Sequence, residues 1–310
     1  MTQHRHELSR RAALGLWGIG AAAGLAALSG CAPAAASGTG KDRTITIGSK
    51  GFAESWIMGE LYAQGISALG YTVSLKTNVG STEIINTALQ AGQVDIYPEY
   101  TGVIVVVLGG EERLMDSAEA TYEWAREWEA EHGVTTLNAT PFENKNAIAV
   151  TEEFAAEHGL RTMSDLRGIG DFVYSTYPEN VTGGQGYEGI VETYGLDNME
   201  LKTLSIGLNY QAIERGEIQA ADVFTTDPQL SRSGLVVLED DRKLFGFQNV
   251  VPLIRTEVFD AVDDDVPEFL NELHSLLTVD AIRALNSAAA VNRLDPAQVA
   301  KVFLQENHLI

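Results

Sequence analysis

The sequence is short of almost everything from which an active centre is commonly built. It has one cysteine, Cys31, in 310 residues, so no disulfide can close within the chain and no Cys-x-x-Cys pair exists. Histidines number 6, and those beyond the first thirty positions (His132, His158, His274 and His308) are scattered, reading as structural residues at helix ends and on the surface. There is no Gly-x-Ser-x-Gly elbow and no His-Glu-x-x-His pair, so neither serine-hydrolase nor zinc-peptidase chemistry has a starting point. Neither a metal nor a cofactor is expected. Gly184-Gln185-Gly186-Tyr187-Glu188-Gly189 matches Gly-x-Gly-x-x-Gly, but no clear strand directly precedes it, and a glycine-rich helix entry accounts for it better than a dinucleotide site. Positive charge is scarce as well: 21 Lys and Arg face 43 Asp and Glu, a formal net charge of −22. That balance excludes nucleic acid as the partner, because a phosphate backbone calls for Lys and Arg. The acidic residues are spread along the chain, as on a solvated surface.

Long apolar runs are equally rare. Ala12 to Leu28 is apolar but too short and too rich in small residues to span a bilayer. It follows Arg5, Arg10 and Arg11 and ends in Leu28-Ser29-Gly30-Cys31, so residues 1–30 read as a secretory signal. The ending resembles a bacterial lipobox, which implies cleavage before Cys31 and lipidation of its thiol. Residues 31–42 then form a small-residue tether. Ser9-Arg10-Arg11 also resembles a twin-arginine export signal. The expectation is an exported protein, anchored by lipid alone to the outer face of the cytoplasmic membrane.

What the sequence does have is concentrated in Thr87 to Gly102. Ala88, Leu89 and Ala91 finish a helical face, Gly92 sits where a left-handed residue would close it, and Val94, Asp95 and Ile96 read as a short strand. Pro98 cannot donate to a ladder, so the strand is expected to stop before it, leaving Tyr97, Glu99 and Tyr100 in a loop. Ligands of open α/β sheets sit outside the carboxyl ends of strands. A similar pattern recurs at Gln211 to Asp227, with Gly216 in the place of Gly92. Helix–glycine–strand occurs in any α/β protein, but two copies with polar endings suggest two similar lobes facing one cleft.

The rest of the chain fits that plan, and its length suits two lobes of roughly 100–150 residues each. Residues 43–49 and 71–77 read as strands and 54–69 as a helix. A second helix starts at Ser81 with Ile84, Ile85, Ala88 and Leu89 buried, and 118–132 is a charged helix whose Trp124 and Trp128 form a packing stripe. Asn146 to Val150 reads as a crossing into a second lobe and Val250 to Arg255 as the return, with three helices (about 266–277, 279–290 and 296–306) packing back on the first. Lobe 1 is therefore expected to comprise 43–145 plus 251–310 and lobe 2 to comprise 146–250, joined by a two-crossing hinge over the cleft. The start of the Ser81 helix, Gly80-Ser81-Thr82, presents free N–H groups to an anion. Tyrosine faces such as Tyr100, Tyr177 and Tyr210 suit an alkylated cation.

Four stretches carry a resemblance: GSKGFAESWIMGELYAQ (48–64), GSTEIINTALQAGQVDIYPEYTG (80–102), IGLNYQAIERGEIQAADVFTTD (206–227) and LVVLEDDRKLF (235–245). They resemble the substrate-binding proteins of quaternary-amine (glycine betaine, choline, carnitine) ABC transporters, a family of the type II periplasmic-binding fold. The resemblance implies capture of a solute by lobe closure and its delivery to a permease with an ATPase partner, with no bond made or broken. It places Tyr100 and Tyr210 on two positions of an aromatic cage. Ser49, Lys50, Ser81 and Thr82 fall on the loops lining the cleft, and Asp227 on a Thr-Asp motif. Phe52, Glu99, Asn144 and Tyr177 complete the candidate set.

Three positions depart from the family pattern. Asn146 stands where an aromatic is common, Gln248 where a tyrosine is common, and Ser55 where a glutamine is often found. Two missing aromatic walls would cost on the order of 1–2 kcal/mol each for a quaternary ammonium. The resulting expectation is a solute more polar than glycine betaine, such as an amino-acid-like or ergothioneine-like zwitterion. The alternatives are an enzyme or a sensory lipoprotein on the same fold.

Overall fold

The computed structural model describes residues 40–111, 115–182, 184–205, 207–231 and 234–310. The expected signal sequence, Cys31 and the expected tether up to residue 39 lie outside the described residues. Ten strands follow in order: β1 (Thr44–Gly48), β2 (Thr72–Lys76), β3 (Ile96–Tyr100), β4 (Val134–Thr136), β5 (Asn146–Thr151), β6 (Phe172–Thr176), β7 (Met199–Thr203), β8 (Ala220–Phe224), β9 (Leu235–Val237) and β10 (Val250–Arg255). They form two five-stranded sheets, β2-β1-β3-β10-β4 and β7-β6-β8-β5-β9. In each, three parallel strands are followed by one antiparallel strand that comes from the far side of the chain: β10 beside β3, and β5 beside β8.

Parallel neighbours need a crossover, and helices supply it. In the first lobe these are α1 (Ala53–Ala68) and α2 (Thr82–Gln90), followed by a helical turn α3 (Thr101–Val103) that continues into a π-helical turn to Leu108, and α4 (Ala118–Glu131). The second lobe has α5 (Glu152–His158), α6 (Tyr187–Tyr194) and α7 (Leu208–Glu214). The chain then returns through β10 to α8 (Thr256–Phe259), α9 (Asp265–Leu276), α10 (Val279–Asn286) and α11 (Pro296–Glu306). Ile57, Leu61 and Ile66 of α1 are fully buried among Phe269, Leu273 and Leu304 of the returning helices. The glycines Gly92 and Gly216, which end α2 and α7, adopt φ of +69° and +70° and so turn each helix directly into β3 and β8.

Three readings are corrected. Pro98 does not end the strand; it lies inside β3, opposite Pro252 of β10. The N–H of Thr101 donates to the carbonyl of Asn249, which makes the odd-numbered residues of β3 the hydrogen-bonded ones. The two prolines therefore meet at a position where neither owes its partner an N–H. Tyr97, Glu99 and Tyr100 are strand residues, and all three are buried. Ile84 does not face the core but is 55% exposed, and the buried face of α2 is Ile85, Ala88 and Leu89. His274 is structural but not superficial: it is fully buried and shares a 2.6 Å hydrogen bond with the Tyr62 hydroxyl. Burial lowers its pKa to about 3, so it stays neutral.

The two passages between the sheets lie side by side. Glu143 and Asn249 form an antiparallel bridge, and the Asn144 N–H donates to the Gln248 carbonyl at 3.1 Å. The lobes are also tied directly. Arg283 of α10 donates twice to the Thr225 carbonyl, at 2.9 and 2.7 Å, and Asn286 donates to the Thr226 carbonyl at 3.2 Å.

Candidate functional site

A cavity of about 640 Å³ opens where the two sheets face each other. Lobe 1 contributes Lys50 and Phe52 from the loop after β1, Glu54 from the first turn of α1, Tyr100 from the end of β3, and Asn286 from α10. The passages contribute Asn144, Lys145, Asn146 and Gln248, and lobe 2 contributes Gln185, Phe224, Thr226, Asp227 and Phe245. This is the size and mixture expected of a small-molecule site, an apolar wall with a few convergent polar groups.

Glu54 organises the lobe 1 side. Its Oε1 accepts from the Tyr100 hydroxyl at 2.7 Å and from Asn144 Nδ2 at 2.9 Å, while its Oε2 accepts from Asn286 Nδ2 at 2.9 Å. One buried carboxylate thus fixes groups from β3, the passage and α10. Burial, then the Glu54 charge, pushes the Tyr100 hydroxyl well above its ordinary pKa, which keeps it a donor. Phe52 stacks on Tyr100 with centroids 6.3 Å apart.

On the lobe 2 side, Asp227 Oδ2 accepts from the Tyr210 hydroxyl at 2.6 Å and from the Phe224 N–H at 3.0 Å. Burial raises its carboxyl pKa.

The ionic balance of the lining is uneven. Lys50 Nζ lies 2.5 Å from Glu99 Oε1, and Lys145 Nζ lies 3.1 Å from Glu143 Oε2. Both lysines are therefore neutralised by carboxylates that do not line the cavity. Glu54 and Asp227 do line it, and the hydrogen bonds described for them come from neutral donors. The cavity thus sets two carboxylates served by neutral donors beside four aromatic rings: Phe52, Tyr100, Phe224 and Phe245. Arg283 acts on Asp227 from outside the lining, and the Lys50 ammonium lies 4.9 Å from the Tyr100 ring centroid.

Of the residues expected from sequence, Lys50, Phe52, Tyr100, Asn144, Asn146, Asp227 and Gln248 line this cavity, and six others do not. Ser49 is fully buried. Thr82 and Glu99 both hold the Lys50 ammonium, at 3.2 and 2.5 Å, and so stand behind the wall. Ser81, exposed, donates to the Glu83 side chain at 2.7 Å rather than capping its helix. Tyr210 is buried with its hydroxyl on Asp227. Tyr177 stacks on Phe224 at 6.5 Å, outside the cavity.

Glu54, Phe224, Phe245 and Asn286 were missed. An acid in a first helical turn reads as a complement to the helix dipole, and only the fold shows that α10 brings Asn286 onto it. Phe224 stands directly before Thr225-Thr226-Asp227, and that adjacency was the available signal.

Residues 43–306 match the family model described as the substrate binding domain of ABC-type glycine betaine transport system. The chain is 30% identical over 298 residues to the glycine-betaine-binding protein of Pseudomonas aeruginosa, covering 90% of this chain and 93% of that protein. It is 28% identical to the carnitine transport binding protein OpuCC of Listeria monocytogenes, covering 91% and 92%. The crystal structure of a glycine betaine/carnitine/choline ABC transporter protein superposes with a TM-score of 0.79 at 25% identity, over 86% of this chain and 99% of that one. The architecture is the type II periplasmic-binding fold.

Proposed function

The chain belongs to the family of substrate-binding domains of ABC-type glycine betaine transport systems, and from that premise we propose that its cleft takes a small quaternary ammonium cation. It is a solute-binding protein of an ABC importer and works outside the cytoplasm. The observation that carries the solute reading is the lining itself. Two carboxylates hydrogen-bonded by neutral donors, Glu54 and Asp227, stand among four aromatic rings. An alkylated ammonium gains from both, by cation–π attraction to the rings and by charge to the acids. A zwitterion would have to set its own carboxylate away from these two acids.

This reading differs from the polar zwitterion expected from Asn146 and Gln248. Both line the cavity, but Phe224 and Phe245, beside the expected Phe52, supply aromatic surface that a position-by-position carry-over did not find. Asn146 and Gln248 then suit a hydroxyl or another neutral polar end of the solute. Closure of the lobes on the solute, delivery to the permease and its ATPase, and a lipid anchor at Cys31 belong to the same proposal. No reaction is proposed, and no nucleic-acid partner. Among the described residues no helix is long and apolar enough to cross a membrane.

Calorimetric titration of the purified protein with choline, carnitine, glycine betaine and a few amino acids tests this. Choline is expected to bind at least tenfold more tightly than glycine betaine. Preference for an amino acid or a polar zwitterion would refute the cation reading, and turnover of any of them would revive an enzyme.

A further inference from the structure

The returning helix α10 belongs to lobe 1 by its core and reaches lobe 2 by a neighbouring face. Ile282 and Leu285 are buried in the lobe 1 core. Arg283 and Asn286, three apart and so on one face, turn instead to the loop 225–227 that follows β8. That loop and the end of β8 are the lobe 2 wall of the cavity, supplying Phe224, Thr226 and Asp227.

Thr225 is where the connections meet. Its N–H donates to the Lys145 carbonyl at 3.0 Å. Its Oγ1 donates to the Glu143 carbonyl at 2.6 Å and accepts from the Lys145 N–H at 3.1 Å. These bonds fix it to the first passage between the sheets. Its carbonyl accepts Nε and Nη2 of Arg283 at 2.9 and 2.7 Å. Two N–H groups of one planar guanidinium hold direction as well as distance, which a lysine ammonium does not. A turn of lobe 2 about the passages moves Thr225 least, so the fork can persist while the lobes rotate. Asn286 stands nearer the cavity, and its Nδ2 serves one acceptor in each lobe, Glu54 Oε2 at 2.9 Å and the Thr226 carbonyl at 3.2 Å. The lobes also meet where Lys243 Nζ donates to the Asp116 carbonyl at 2.6 Å, but that contact is exposed and made by a flexible side chain.

We propose that Arg283 is a positioning residue for solute capture: it pins lobe 2 to α10 beside the passages, so that closure brings Asp227 back to the same place opposite Glu54. Arg283 does not line the cavity and acts on the solute through the Thr225 carbonyl. Its charge also favours ionised Asp227, so position and charge have to be separated. The inference deepens the solute-binding reading and rests on it, but the pinning can be read without a solute.

The test places one spin label on each lobe, at the exposed positions Thr87→Cys of α2 and Gln211→Cys of α7, in a Cys31→Ser chain. Inter-lobe distances are measured without solute, and choline on- and off-rates by stopped flow. Arg283→Ala and Arg283→Lys, the second keeping the charge without the fork, should both roughly double the width of the distance distribution. Both should raise the choline off-rate about tenfold and leave the on-rate within about twofold. Lys243→Ala should leave distances and rates at parent values. A lowered Tm with the parent's distances and off-rate would mark Arg283 as merely structural and overturn the proposal. Recovery of both readings in Arg283→Lys would assign the effect to charge and do the same, as would equal broadening in Lys243→Ala. If Arg283→Ala does not fold, Arg283→Lys carries the test. A parent that binds no ammonium solute would refute the solute reading alone, and the solute-free distances would still decide the pinning.

Discussion

The two lobes are built to one plan and hold their acids by different means. In each, a helix ends at a left-handed glycine and runs into a strand whose carboxyl end meets the cleft, α2–Gly92–β3 in one and α7–Gly216–β8 in the other. In each, a carboxylate stands at the wall beside a tyrosine. Glu54 sits on a long helix and is fixed by Tyr100, Asn144 and Asn286, which come from three parts of the chain. Asp227 sits in a loop and is held locally, by Tyr210 and the backbone of Phe224. Lobe 1 is thus the pre-organised half of the site. Lobe 2, tied to it through Arg283 and Asn286, holds its acid within one loop and one helix.

The strongest way to break that comparison is to remove each acid. Glu54→Leu takes the shared acceptor from the Tyr100 hydroxyl and the Asn144 and Asn286 amides and should cost about 3 kcal/mol of folding stability as well as solute binding. Asp227→Asn keeps an acceptor for Tyr210 and removes a buried charge, so its cost should stay within about 1 kcal/mol. Urea denaturation of both variants decides it, and equal losses would mean that lobe 1 is no more rigid than lobe 2. The tyrosines should follow the same order. Tyr100→Ala removes a ring of the wall and should weaken ammonium binding by about 1–2 kcal/mol, roughly five- to thirtyfold. Tyr210→Phe acts only through Asp227 and should cost a few-fold in calorimetry.

Each lobe also buries an acid whose pKa is raised by burial, Glu129 to about 8 and Asp222 to about 7. Neither Glu129 oxygen has a partner among the described residues. For a carboxyl raised in the folded state, the folded chain holds its proton longer than the unfolded chain. Stability is therefore full below about pH 4–5 and falls as pH rises through 7–8. Glu129→Gln should flatten that decline and gain about 1–2 kcal/mol at pH 8 while changing little at pH 4, measured by denaturation across the range. A decline of unchanged slope would place the charge elsewhere.

The smallest effect separates the two glycines. Gly216→Ala meets open space and should cost only the left-handed backbone, about 1 kcal/mol. At Gly92 an added Cβ would lie 2.9 Å from the Arg255 guanidinium, which pairs with Asp95 at 3.2 Å, so Gly92→Ala should cost visibly more.

Much of the fold was legible because periodicity and punctuation agree in this chain. The helix over 296–306 and the strands over 146–151 and 250–255 follow the sequence pattern closely. The short edge strands β4 and β9, three residues each, were not legible, since three residues carry too little alternation to register. Pro98 misled for a physical reason: only its pairing with Pro252 shows that no ladder donor is missing. The site was half legible. Residues inside distinctive motifs, such as Tyr100 and Asp227, could be placed, whereas Asn286 reaches the cleft only through the packing of α10. Tyr210 could be found but not oriented, because a tyrosine that lines a wall and one that holds an acid behind it read alike in sequence.

The account rests on where a bound solute puts its positive end, and a crystal structure of the protein grown with choline measures that directly. The ammonium is expected within about 6 Å of the Tyr100 ring, between the Glu54 and Asp227 carboxylates, with its hydroxyl toward Asn146 or Gln248. An ammonium turned away from Tyr100 and both acids, or a cleft left empty at saturating choline, would contradict it.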